Sequence, residues 1–419
     1  MGAVWLVFGA KLRRHWRSWL LLSLLIAVAS GFVLAGTAAG GRTDSAFPRY
    51  VAGHGYDAIM YSVQPLPRLA RLPEVAQVTP AQMPFYGQPR CSCGRQISAG
   101  AFSIREVPAA DLRRVAKLVA GRMPDPSSPV EALVSFTLQR DYGIRPGTMI
   151  SLPMAAPSQR QAEFNAMAGG PVPKPAGPTV AVRVVGIVAA ENEFPSGQGT
   201  IYDLYPTAAF AAATRGSPAL LSYYVRLRHG PAGFARFEAR ANGLNGAGLE
   251  DLDRPAAAIT SSIHPQAVGW RVLAALAGLA AIAVVGQALA RQAAAEDTDH
   301  PALAALGLNP RQFVAVSMLR TLAVAAVGAA GAIVLATLLS PLAPSGEARL
   351  AEPAPGLSFD AAVIGLGALA TVAVVLALGV PPALRSARAH AAADRVAVAR
   401  PSVIAGGVAA AGEIGRAHV

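Results

Sequence analysis

A chain of 419 residues that is 53% hydrophobic, only 14% charged and has a mean hydropathy of +0.40 is too apolar for an ordinary soluble protein. It is also too polar to lie wholly in a bilayer. The net charge of +12 raises nucleic acid as a partner, but the arginines cluster beside apolar runs rather than on a basic helix or a finger pattern, and the positive-inside bias of membrane proteins explains them more simply.

Met1 to Trp19 mixes Trp5, Leu6, Phe8, Trp16 and Trp19 with Lys11, Arg13, Arg14 and Arg17, which predicts an amphipathic helix in the cytoplasmic interface over residues 1–18. The apolar run Leu20 to Ala39 matches the ~20 residues needed to cross a bilayer, giving a first span over 19–41. A cleaved signal peptide is the rival reading, with Ala38-Ala39-Gly40 as a partial cleavage site, but the basic cluster lies well inside the chain and favours retention. Gly36 to Thr43, GTAAGGRT, nearly matches a phosphate-binding loop. Arg42 stands where that loop needs Lys, and the segment leaves a span rather than joining a strand to a helix.

Residues 42–266 turn polar and rich in Pro and Gly, with no run long enough to span, and form an extracytoplasmic domain large enough for its own core. Glu131 to Ser135 and Val180 to Val188 read as strands, Ala109 to Ala120 and Pro231 to Ala241 as helices, so an α/β or α+β fold follows. Ala155 to Pro178, rich in Pro, Ala and Gly, reads as a mobile loop. His54 and His229 sit singly, and the chain has no HExxH, GxSxG or paired ligand spacing, so no catalytic, metal or cofactor residues are assigned. Glu191, Asn192 and Glu193 form the densest polar cluster, read as a solvated turn with a cleft lining as the alternative. Cys91 and Cys93 are too few for a disulfide framework and lack the partners of a zinc site; they either close a short loop or remain thiols.

Three more spans follow: 267–290, 313–340 with Arg320 near enough to one face to snorkel, and 359–384 ending at Pro381-Pro382, with an outer loop over 341–358. Basic residues crowd the N-terminus and the tail at Arg385, Arg388, Arg395 and Arg400, Arg291 and Arg311 flank the break between spans two and three, and the outer loop has only Arg349, which puts the N-terminus inside. The expected fold is a multi-pass α-helical membrane protein with four transmembrane helices and a large α/β extracytoplasmic domain inserted between helices 1 and 2. Gly328 with Gly331 and Gly365 with Gly367 either let helices approach closely or reflect an Ala- and Gly-rich composition. No charge sits mid-span, which argues against an ion pathway and for mechanical movement.

The break over 291–312 is punctuated as helix, stop and restart. Asp297 to Asp299 offer cap acceptors and Pro301 suits a first turn. Leu303, Leu306 and Leu308 follow, Gly307 allows a left-handed stop, and Asn309 can cap a new helix beginning at Pro310.

The run LAALGLNPRQF inside this break resembles the connector of the FtsX-like permeases of ABC transporters. That resemblance implies a coupling helix docking into a groove of a separate ATPase, with Pro301, Leu303, Leu306, Gly307, Leu308 and Pro310 as its residues, and ATP bound by that partner rather than by this chain. A second resemblance runs through the domain. LPEVAQVTP (72–80), GRMPDPSSPVEALVS (121–135), YGIRPGTMISL (142–152), VRVVGIV (182–188) and YYVRL (223–227) occur in the order of the MacB-type periplasmic core domain. Together they imply a permease subunit, non-catalytic itself, in the cell membrane, acting on lipid, lipoprotein, peptide or drug substrates. The alternatives are an FtsX-like signalling protein that activates a cell-wall hydrolase and a membrane-anchored sensor without an ATPase. The tail, 385–419, ends in IGRAHV, resembling a translated sequencing adaptor, and no second half repeating span, domain and three spans is visible. The expectation is a truncated frame with a missing second half, or a homodimer.

Overall fold

The computed structural model describes residues 2–98, 102–194, 201–244, 246, 248–296 and 309–397. The chain divides into two compact units, one made of Met1–Ala39, Gly269–Pro341 and Gly356–Val419, the other of Gly40–Val268 and Leu342–Pro355.

The first element, α1 (Gly2–Asp44), is continuous apart from a kink at His15, where φ −117° and ψ 17° leave the helical range. The kink lies within the stretch expected to rest in the interface, and beyond it Trp19, Leu22 and Ile26 form a buried face. Residues 36–43 lie within this helix. Helical backbone closes its amides into i→i−4 bonds, so it cannot offer them to a phosphate, and the nucleotide reading fails on geometry.

The α/β unit follows with α2 (Ala46–His54), β1 (Ala58–Ser62), β2 (Val75–Pro84), β3 (Arg90–Cys91), β4 (Phe102–Ile104), α3 (Leu112–Val115), β5 (Ala116–Gly121) and β6 (Glu131–Ser135). Next come α4 (Phe136–Tyr142), β7 (Met149–Pro153), α5 (Arg160–Met167), β8 (Thr179–Ala190), β9 (Tyr202–Pro206), α6 (Ala208–Ala213), β10 (Ala219–Leu227), α7 (Phe234–Ala241) and β11 (Gly248–Asp251). The strands form two sheets, one in the order β11-β1-β10-β2, the other β3-β7-β8-β6-β9-β4 with β5 added along β8. The first is antiparallel; in the second β6 runs parallel to β8 and β4 parallel to β9. The near-continuous apolar run of β8 is explained by burial on both faces, with Val182, Val184, Ile187 and Val188 all inaccessible.

Four expectations for this unit are corrected. Ala109–Ala120 is not one helix: after the single turn of α3 the chain becomes β5, because pairing with β8 from Ala116↔Ala190 to Gly121↔Gly186 outweighs its helix propensity. Gly121 makes that approach possible, since a Cβ there would lie 2.4 Å from the Val185 carbonyl oxygen. Ala155–Pro178 is anchored rather than a free loop. Gln159 Oε1 accepts from the Ala156 and Ala176 amides at 2.8 Å each, and Phe164 of α5 meets Phe85 edge-on at 5.5 Å. Glu191–Glu193 is a buried turn, described below. The loop expected over 341–358 contains a helix packed into this unit's core. Cys91 and Cys93, left open by sequence, are joined by a disulfide.

The remaining helices are α8 (Asp253–Glu296), α9 (Pro310–Leu339), α10 (Gly346–Ala351) and α11 (Ala361–Ala397). The segments Val4–Asp44, Ile259–Ala295, Arg311–Leu342 and Ala361–Arg385 are long and apolar enough to cross a membrane. α11 does not stop at Pro381-Pro382 but continues through them. Each proline removes one backbone donor without ending the helix, as transmembrane helices tolerate. Arg320 is 5% exposed, packed within the helical unit rather than reaching along its surface.

Small residues set the close contacts of the helical unit. A Cβ on Gly328 would lie 2.6 Å from Ile26 Cγ2 and 3.2 Å from the Ser23 carbonyl, and one on Gly331 would lie 2.7 Å from Ala27 Cβ. Ser23 Oγ donates to the Val324 carbonyl at 3.2 Å in the same contact. Gly367 packs under Leu34, whereas Gly365 faces open space, so the two members of that pair differ in role. Gly328→Leu should therefore lower the stability of the purified chain by about 1–3 kcal/mol through overpacking, and Gly365→Leu should leave it unchanged. Equal melting curves for the two variants would remove the packing role of Gly328.

Candidate functional site

Three groups of residues carry the functional geometry. The first is the restart of α9. Asn309 has extended backbone at φ −75° and ψ 146°, and its side chain accepts from the Arg311 amide at 3.2 Å. Gln312 Oε1 accepts from the Asn309 amide at 2.9 Å, completing a reciprocal capping box with Pro310 in the first turn. The expected cap and proline are thus where the sequence put them. Of the six coupling residues, Pro301, Leu303, Leu306, Gly307 and Leu308 lie outside the described residues; Pro310 begins α9.

The second group was not visible in the sequence. Residues 342–355 belong to the α/β unit, and α10 buries Ala348 and Ala351 in a core with Phe47, Tyr50, Ile259 and Ile263. Immediately after α10, Glu352 is 1% exposed. Arg49 of α2 donates to both its oxygens, at 3.1 and 2.8 Å, and Arg42 Nε lies 3.4 Å from Oε2. Arg42 also donates to the Ala354 carbonyl at 2.7 Å, while Lys117 Nζ donates to the carbonyls of Leu350, at 2.7 Å, and Glu352. Burial pushes the Lys117 ammonium below its usual range, and the Glu352 carboxylate opposes that shift. Three cations from β5, α2 and the end of α1 thus hold one short strap. Arg49 and Glu352 are 303 residues apart, and only their separate surroundings, a basic turn and a Pro-rich loop, appear in the sequence.

The third group is the Glu191–Glu193 turn. Glu191 Oε2 accepts from the Tyr56 amide at 2.8 Å, and Glu193 Oε2 from the Ala190 amide at 3.1 Å. Asn192 donates to Asp203 Oδ2 at 2.8 Å; Asp203 also pairs with Arg105 at 2.7 Å and accepts from Tyr205 at 3.2 Å. Burial, with repulsion from Asp203, pushes the Glu193 carboxyl well above its usual range. The cluster is a buried network linking the turn after β8 to β9 and to Arg105 after β4, with Glu193 Oε1 left without a hydrogen-bond partner among the described residues, and its burial argues against a solvated turn and against a cleft. Among the described residues no group of three or more His, Cys, Asp or Glu could hold a metal ion.

Comparison with known proteins gives one family match: residues 271–391 fit the model for the FtsX-like permease C-terminal domain. No curated protein matches the chain. Among solved structures, a domain of a permease protein from Porphyromonas gingivalis aligns at 16% identity and TM-score 0.26, covering 44% of this chain and 69% of that one. The extracellular domain of the ABC-type transporter YknZ from Gram-positive bacteria aligns at 12% identity and TM-score 0.25, covering 46% and 97%. Scores this low do not establish a shared fold. The family match spans α8 from Arg271, the break, α9, the strap and α11 to Ala391, and over those residues this chain is similar to the C-terminal domain of FtsX-like permeases.

Proposed function

We propose that this chain is the membrane subunit of an ABC transporter, receiving motion from a separate ATPase and passing it to an extracytoplasmic α/β domain. In this reading the N-terminus is cytoplasmic and the domain, of MacB type, is inserted between the first and second spans. ATP is bound and hydrolysed by the partner chain, and this chain is non-catalytic. The substrates are lipids, lipoproteins, peptides or drugs handled outside the membrane. A second copy of this chain completes the membrane assembly. The observation that carries the reading is the reciprocal cap at Asn309 and Gln312, which starts α9 abruptly at the end of the polar break inside the FtsX-like match. A sensor without an ATPase has no use for a helix so defined at that point.

The arrangement is tested by labelling in intact cells with a membrane-impermeant thiol reagent, in a chain whose Cys91 and Cys93 are both replaced by Ser. Single cysteines replacing Ser158 and Ser345, both exposed, should react. Those replacing Ala294 and Ala391 should react only after the membrane is opened. Ser345 is the better probe of its loop than Gly346, whose φ of +59° strains any side chain. Labelling at Ala294 in intact cells would invert the topology and remove the ATPase from that face.

A further inference from the structure

The α/β unit contains a depression of about 400 Å³, a small-molecule size, that none of the functional elements above uses. Pro80, Ala81 and Gln82 of β2 and Leu221 and Tyr223 of β10 line it from one sheet. Glu106, Val107 and Pro108, just after β4, line it from the other, and Ala208 and Ala211 of α6 add to the wall. Glu106 is fixed there by its backbone, which exchanges two hydrogen bonds with Gln82, at 2.8 and 3.1 Å. Its side chain is the one charged group in the lining.

That carboxylate is poorly satisfied. Thr214 Oγ1 donates toward Glu106 Oε1 at 3.4 Å, but the same hydroxyl donates to the Phe210 carbonyl at 2.9 Å, and it has a single hydrogen. Among the described residues no cation and no backbone amide reaches the carboxyl. Burial accordingly pushes it up to about 7, with the Thr214 hydroxyl opposing weakly. A half-buried carboxylate facing an apolar hollow without a counter-charge is costly, and a cation entering the hollow would remove that cost. A neutral or anionic molecule would not.

We propose that this depression binds a small amphipathic monocation, its apolar body against Pro80, Pro108, Leu221 and Tyr223 and its ammonium or guanidinium on Glu106. The proposal concerns the α/β unit alone and does not rest on the coupling to an ATPase. Binding should strengthen as pH rises through about 7, because only the ionised Glu106 attracts the cation and the ligand stays protonated there.

The test is calorimetric titration of the full chain in lipid nanodiscs with benzylammonium, with empty discs as the blank and benzyl alcohol as the neutral isostere. The expected result at pH 8 is saturable one-to-one binding of benzylammonium, weakened at least tenfold at pH 5.5 and in Glu106→Gln, with no saturable binding of the alcohol. Leu221→Trp, which fills the hollow but keeps Glu106, should abolish binding. Unchanged circular dichroism confirms the fold of both variants. Equal affinity in Glu106→Gln, equal affinity for the alcohol, or no saturable binding of benzylammonium to the wild type would each overturn the site.

Discussion

Replacing Leu306 with Asp is expected to abolish co-purification of the ATPase while leaving insertion and the α/β unit intact. Leu303 and Leu306 lie three apart and would share one face of a short helix, presented as apolar anchors to a groove on the partner. A charge at the second anchor removes its burial and its fit, at about 2 kcal/mol or more, roughly a thirtyfold loss of affinity. Gly307→Val should act in the same direction through backbone strain, by opposing a left-handed helix stop. Membrane insertion is spared because the substitution lies in the polar break, outside the segments long and apolar enough to cross. An unchanged complex in both variants would mean that residues 301–308 are a tether only.

The second large effect is expected at Glu352. Glu352→Ala removes a carboxylate that is 1% exposed and that Arg42, whose side chain is 9% exposed, shares with Arg49. Removing one member of a buried ion pair costs about 3 kcal/mol. Arg49, with a side chain 44% exposed, recovers hydration and adds little. The loss should appear as faster amide exchange in α10 and α2 and as a lower melting temperature, and Glu352→Gln should recover part of it because the Arg49 bonds have an acceptor left. ATPase co-purification should survive both changes, since the strap is remote in sequence from the break. Exchange in α10 indistinguishable from wild type would show that Ala348 and Ala351 alone hold the strap.

What the sequence made legible was whatever is written locally. The presence of four long apolar helices, the cap at Asn309 with Pro310 behind it, β6 over Glu131–Ser135 and the core of β8 all follow from patterns within a few residues of themselves. The errors arose where a distant partner decides the conformation. Ala116–Gly121 has helix-forming residues yet becomes a strand because β8 offers it a ladder. Glu191–Glu193 looks like a solvated turn until the Tyr56 and Ala190 amides and the Asp203 shell enclose it. Glu352 looks like one charge in a Pro-rich loop, and its arginine partner at position 49 is 303 residues earlier. Burial of a charge is a property of the pairing and not of either segment, which is why the strap had no signature.

Coupling through this chain requires that nucleotide at the ATPase be felt at the strap. Hydrogen–deuterium exchange of α2 and α10 is to be measured in the purified assembly, without nucleotide and with a non-hydrolysable ATP analogue. A nucleotide-dependent change in protection at Ala46–His54 and Gly346–Ala351, absent when Leu306 is replaced by Asp, is the predicted result. Exchange in both helices that stays the same with and without nucleotide, while the ATPase itself becomes protected, would contradict it.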